Sequence, residues 1–234
     1  MTRAMNSSPL RVAVYVFDVG SIRQNNFGWV RANINRSGDI LVVGGRDIDD
    51  LIVSLRHDAE QGLPLALGGE SPQFIGVPQD QSLLGSGREG EGAHSCFAPA
   101  GGYVATLGVQ QMAFVLAGLR GIARRSELDW TRWDPQDANV ILLFEAFVSG
   151  RCHDVDNDAV RDAATAAVRF LQMAQGSALL TDVRPRAGTT ALSLIGAVAL
   201  WSGLATDAAV LFEPVLVVKP AEPYCGPIEP YDSR

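Results

Sequence analysis

Three apolar runs, at residues 11–18, 28–34 and 39–45, follow one another so closely that no helix fits between them. "RVAVYVFD", "GWVRANI" and "DILVVGG" are rich in β-branched and aromatic residues, and short polar turns such as "NRSGD" separate them. Runs of this kind predict an antiparallel three-stranded meander. The period then changes. In "DIDDLIVSLRHDAEQG" (47–62) Ile48, Leu51, Ile52 and Leu55 recur on one helical face, acids fill the first turn and Gly62 closes it, which predicts a helix. "LPLALGG" (63–69) then reads as a short strand that stops at Glu70-Ser71-Pro72, because Pro72 biases Ser71 to extended geometry.

Further along, residues 76–102 are rich in glycine and poor in apolar periodicity; the segment from Gly85 to Gly102 is expected to be a mobile loop. Leu107, Phe114, Val115 and Leu119 recur at helical spacing and predict a core helix over 103–120. "NVILLFEAF" (139–147) reads as a buried strand carrying one acid, Glu145. Helices are expected over 154–174 and 189–204, and a last strand over 209–218, bent or edge-placed by Pro214. The domain reading is an unstructured N-terminus at 1–10, one domain over 11–218, and a proline-rich, peripheral tail at 219–234.

The chain has 234 residues, of which 19% are charged and 47% hydrophobic, enough to bury one sizeable core. A net charge of -7 argues against a protein that coats nucleic acid, which needs a basic face. Cys96, Cys152 and Cys225 are odd in number and widely spaced, unlike a disulfide framework and suited to a reducing cytosol. No signal peptide is indicated, and the apolar run Ala191–Ala205 is shorter than a bilayer span. The expectation is a cytoplasmic protein without a membrane partner.

The order of three antiparallel strands, helix, strand, helix, strand and helices matches a ribonuclease H-like layout: an α/β three-layer fold with a mixed five-stranded sheet in the order 3-2-1-4-5. Ligands collect at the carboxyl ends of parallel strands in such sheets. Asp18, Glu70 and Glu145 stand at or near those ends. Clustered carboxylates repel unless a cation compensates them, and oxygen donors suit a hard ion, Mg²⁺ or Mn²⁺. Two such ions can hold the attacking water and the leaving oxygen of a phosphodiester. A fourth acid comes from the helix after residue 154, where Asp154, Asp158 and Asp162 share a face. Acids in a first turn also serve as caps, the simpler role for Asp154 and Asp156. The expected catalytic set is Asp18, Glu70, Glu145 and Asp158, with Asp162 added as a metal ligand. At Asp18 the competing role is that of a turn residue.

On "FDVGS…FGWV", "ALGGESP", "LFEAF" and "DNDAVRDAATAA" the chain resembles the predicted ribonuclease H-like nucleases, a bacterial family grouped as a domain of unknown function, over roughly residues 11–218. The resemblance implies the same fold, a metal site at these acids and nuclease-like phosphodiester hydrolysis on nucleic acid or a small phosphate ester. It departs from that family at "VGSIRQNN", at Glu70 where Asp is usual, and at "LFEAF". The alternative is a ribonuclease H-like binding module without metal or catalysis.

Two other groupings stand out. Arg124, Arg125 and Arg132 beside Trp130 and Trp133 form a candidate phosphate-gripping, base-stacking patch, with a solvated helix end as the plainer account. His94, Cys96, Cys152 and His153 are zinc-compatible in type but match no common zinc spacing.

Overall fold

A computed structural model describes residues 11–92, 95–122, 124–148, 158–176 and 179–232. The meander forms as β1 (Ala13–Asp18), β2 (Gly28–Ile34) and β3 (Ile40–Gly45), with β1–β2 and β2–β3 antiparallel. Helix α1 (Ile48–Glu60) follows, capped by the Asp47 carboxylate, which accepts from the Asp49 N–H. The chain returns as β4 (Leu65–Glu70), parallel to β1. After β5 (Phe74–Pro78), α2 (Pro99–Gly118) and the short β6 (Arg125–Glu127) comes β7 (Val140–Ala146), parallel to β4. The C-terminal part holds α3 (Ala159–Gln175), β8 (Thr189–Ser193), α4 (Leu194–Ser202), β9 (Leu216–Val218) and β10 (Glu229–Pro230).

The molecule is thus mixed α/β around a mixed sheet of eight strands among the described residues, in the order β10-β3-β2-β1-β4-β7-β6 with β9 also on β7. Strand alternation divides its core into two faces. Tyr15, Phe17, Leu67 and Leu143 pack with Leu51 and Leu55 of α1, Met112 and Leu116 of α2, and Ile195 of α4. Val14, Val16, Ala66 and Phe144 face the other way, against Ala163, Ala167 and Phe170 of α3.

Several elements differ from the sequence reading, each for a physical reason. Thr189–Ser193, expected as helix, instead pairs antiparallel with β5; its β-branched threonines suit a ladder, and the Ser193 hydroxyl then caps α4 by accepting from the Gly196 N–H. Only Leu216–Val218 of the expected last strand is extended, and Ala208–Phe212 is a 3-10 turn. α2 begins at Pro99 rather than 103, with proline in the first turn where a missing N–H costs nothing. It is long and apolar enough by composition to cross a bilayer, yet it lies within the domain, packed chiefly on α4.

The tail is not merely peripheral. β10 adds to the free edge of β3, and the Tyr231 ring packs edge-on to Trp29 with centroids 5.1 Å apart. The stretch expected to be mobile contains two buried charged residues. Arg88 and Glu91 are buried at 4% and 1% exposure, because charge pairing there substitutes for the apolar anchors that the composition lacks. The expected disordered residues 1–10 lie outside the described residues.

Candidate functional site

β1 and β4 run parallel and in register, so that Asp18 pairs with Glu70. Residues paired across a parallel ladder project to the same face, with strands about 4.8 Å apart. Asp18 and Glu70 therefore leave the sheet together, on the α3 side. The hairpin glycine of "FGWV" decides what lies above them. Gly28 is the β2 partner of Asp18, and a Cβ there would lie 2.5 Å from the Ala159 carbonyl carbon. Only glycine lets the start of α3 come down onto the sheet at this point. One turn later, α3 carries Asp162, 3% exposed, into the same space. On the opposite side, Gly108 of α2 presses on the turn after β4, where an added Cβ would meet Ser71 Oγ at 2.1 Å.

Asp18, Glu70 and Asp162 all line one cavity of about 500 Å³ at the carboxyl ends of these strands. Its other walls come from the loop after β1, from Ser95 to Val104 across the start of α2, and from Ala146 to Val148. Burial pushes the Glu70 carboxyl well above the ordinary carboxylate range, and the negative charges of Asp18 and then Asp162 push it further. The adjoining Asp18 side chain also favours the protonated form of Glu70. The Val148 N–H works the other way, favouring the charged form. Among the described residues Glu70 Oε2 is covered and has no hydrogen-bond partner, although the residue as a whole keeps some exposure. A shielded carboxyl oxygen left unsatisfied among other acids is costly.

Glu145 does not join this group. Its register partner on β4 is Gly69, not Glu70, and a shift of one residue turns a side chain to the opposite face. There it is fully buried and satisfied: Arg88 Nη1 and Nη2 donate to its two oxygens at 2.6 and 2.7 Å, and the Gln73 N–H donates at 2.9 Å. Arg88 also binds Glu91 through Nε and Nη2 and lies over the Phe74 ring. Burial opposes the charge of Arg88, but the two glutamates outweigh it, and its pKa rises.

Asp158 stands outside the cavity lining as well. It is the N-cap of α3, accepting from the Val160 N–H, and it pairs with Arg46 at 2.7 Å. The cap expected of Asp154 or Asp156 thus falls on Asp158; Asp154 and Asp156 themselves lie outside the described residues. Asp162 is the helix acid that the sheet end receives. Capping geometry explains the swap, since an N-cap side chain folds back on its own first turn.

The arginine patch is elsewhere. Arg125 opens β6 beside Val140, the first residue of β7, at the amino ends of the parallel strands, opposite to the cavity. Arg124 donates to the Leu63 and Ala59 carbonyls. Arg132 pairs with Glu127, Asp129 and Glu213. Trp133 is buried against Phe170 and unavailable for stacking. Of the zinc-type residues, His94, Cys152 and His153 lie outside the described residues. Burial, and then the charge of Glu91, raise the Cys96 thiol to about 11, so it stays protonated at neutral pH, a poor ligand or nucleophile.

Among the described residues, no group of three or more His, Cys, Asp and Glu side chains is gathered closely enough to hold a metal ion. The donor chemistry of Asp18, Glu70 and Asp162 nonetheless suits a hard cation, and the unsatisfied Glu70 Oε2 is the atom such an ion would complete. No protein-family model, curated protein or solved structure matches this chain, so the functional reading rests on this geometry.

Proposed function

We propose that the chain hydrolyses phosphate esters with a divalent cation held by Asp18, Glu70 and Asp162, on a ribonuclease H-like sheet formed by β3-β2-β1-β4-β7. The observation that carries the proposal is the buried Glu70 carboxyl. It is pressed against two other acids, raised in pKa, and has one oxygen unsatisfied. Structural carboxylates are paired with cations or amides. Glu70 has the Val148 amide but no cation among the described residues, and perturbed carboxyls of this kind cluster at functional sites.

Bound there, Mg²⁺ or Mn²⁺ would supply Lewis acidity to the phosphoryl group. The rest falls to the chain. Glu70 and Asp18 would have to be deprotonated to hold the cation, so its binding would strengthen as pH rises. Asp162, buried on α3, would be the third carboxylate available to hold it. The start of α2 and the Ala146–Val148 segment wall the cavity with small and apolar groups.

The test is thermal unfolding with and without Mn²⁺ or Mg²⁺. At a hundredfold excess over Kd the ion stabilises by about 2.7 kcal/mol. Asp18→Asn, Glu70→Gln and Asp162→Asn each remove most of that gain, and hydrolysis of a phosphodiester falls with it. A melting temperature indifferent to both ions, together with no hydrolysis, would leave the non-catalytic binding module.

A further inference from the structure

We infer that a second cavity, at the opposite end of the sheet from the acids, binds a small phosphate monoester through Arg11, Arg31 and Arg36. The inference goes beyond the hydrolytic reading and does not rest on it. The cavity has a volume of about 540 Å³ and is lined by the three arginines and Asn33, with Val12, Ile34 and Leu63 as apolar wall. It sits where β1 and β4 begin and β2 ends: Ala13 is the β1 partner of Leu65, and Ile34 closes β2. The six residues of β1, at about 3.3 Å each, hold it away from Asp18, so one small ligand does not reach both ends.

The three arginines are held differently. Arg31 is fixed: its Nε and Nη2 donate to the two Asp58 oxygens at 2.6 and 3.3 Å, and its Nη1 donates to Asn33 Oδ1 at 2.8 Å. The Tyr15 hydroxyl holds Asp58 in turn, at 2.8 Å. These bonds use three of the five guanidinium N–H groups, and the Arg31 side chain keeps 22% exposure where it lines the cavity. Arg11 and Arg36 are exposed and, among the described residues, their side chains enter no hydrogen bond or ion pair. Asp39, the acid of the Arg36 turn, accepts from the Asn35 side-chain amide. Residues 1–10, ahead of Arg11, contain Arg3 and no acid, so they bring no counter-charge. In a chain of net charge -7, this cavity is a local reversal of sign, and such a field concentrates anions. Asp58 balances Arg31, which leaves Arg11 and Arg36 to be met by a ligand. Two positive charges match a phosphate monoester, which carries about -1.5 to -2 at neutral pH and offers three oxygens to guanidinium forks. A carboxylate brings one charge and two oxygens. The apolar wall faces the organic group of the ester.

The experiment is calorimetric titration of the full chain with EDTA present, at a pH well above the second phosphate pKa of about 6. Phenyl phosphate binds one per chain and at least as tightly as inorganic phosphate, whereas dimethyl phosphate, a monoanion, binds about tenfold more weakly or not at all. Arg11→Gln and Arg36→Gln each weaken phenyl phosphate about tenfold and leave the urea midpoint unchanged. Arg36→Lys recovers only part of the loss, since an ammonium lacks the planar fork. Arg23→Gln, beyond the other end of β1, is silent. Arg31 stays in place because Asp58 depends on it. Absence of saturable binding, equal binding of dimethyl phosphate, or indifference to both Arg11→Gln and Arg36→Gln overturns the inference. So does tighter binding of phosphatidic acid vesicles, or of an oligonucleotide without terminal phosphates, which would make these arginines a surface for a membrane or a strand. With divalent ions chelated, every outcome is independent of the site at Asp18 and Glu70.

Discussion

Glu145 and Glu70 stand on neighbouring strands within one residue of each other in register, yet they occupy opposite electrostatic worlds. On the α2 face, Glu145 is wholly buried with a bidentate arginine and a backbone amide. On the α3 face, Glu70 meets two further acids and, among the described residues, keeps an oxygen unpartnered. Burial alone therefore does not mark a functional carboxylate. The discriminating quantity is whether the protein itself supplies the counter-charge. Where it does, as for Glu145, the acid is part of the framework; it ties the Arg88 loop, and with it the wall bearing Ser95, to the sheet. Where the described residues supply none, as around Glu70, a raised pKa and a bound proton follow.

The largest test of this contrast is Arg88→Met, which leaves Glu91 and Glu145 buried without a cation. A loss of about 3–5 kcal/mol is expected, read from urea unfolding, and the amides of the segment around residues 86–98 should lose protection from hydrogen exchange. A loss below about 1 kcal/mol would mean that solvent reaches the glutamates and that the contrast between the two faces is false.

Glu70→Gln sharpens the other side. Because burial and then Asp18 raise the Glu70 pKa, its protonated form is favoured in the folded chain. Its contribution to stability is fully present below the ordinary carboxylate pKa and is lost as pH rises through the raised value. The ion-free protein should thus weaken between mildly acidic and alkaline pH. Glu70→Gln should flatten that decline and gain about 1 kcal/mol at its alkaline end, the lower range for relieving an unsatisfied buried group. A wild-type and variant pair with parallel pH profiles would show that Glu70 is not the strained member.

The smallest effect is expected at Asp158. Asp158→Ala removes the cap of α3 and costs roughly 0.5–1 kcal/mol, with stabilisation by Mn²⁺ unchanged. A lost response to Mn²⁺ would return Asp158 to the site and displace Asp162.

Residue pattern alone, read along the chain, located the meander, α1, β4 and β7, because each is a local matter of period and punctuation. It also singled out Asp18, Glu70, Glu145 and Asp158, with Asp162 added, since acids beside apolar runs are visible without a fold. Strand pairing decided what it could not. Whether Glu145 faced Glu70 or Arg88 depended on a register difference of one residue, and register is set by partners distant in sequence. The helix acid was chosen in the same way. Asp158 and Asp162 share a helical face, but the exact start of α3 made one a cap and the other a cavity wall, and helix starts are poorly marked when several acids precede them. The arginines near residue 125 looked like a phosphate grip because they cluster in the chain; the topology put them at the far end of the sheet. Arg88 gave no signal at all in its glycine-rich surroundings, because its importance is the two glutamates that burial brought to it. Local chemistry was thus fixed by residue type and spacing, whereas which charges met one another was decided by the tertiary structure, since electrostatic environment depends on neighbours in space and not in sequence.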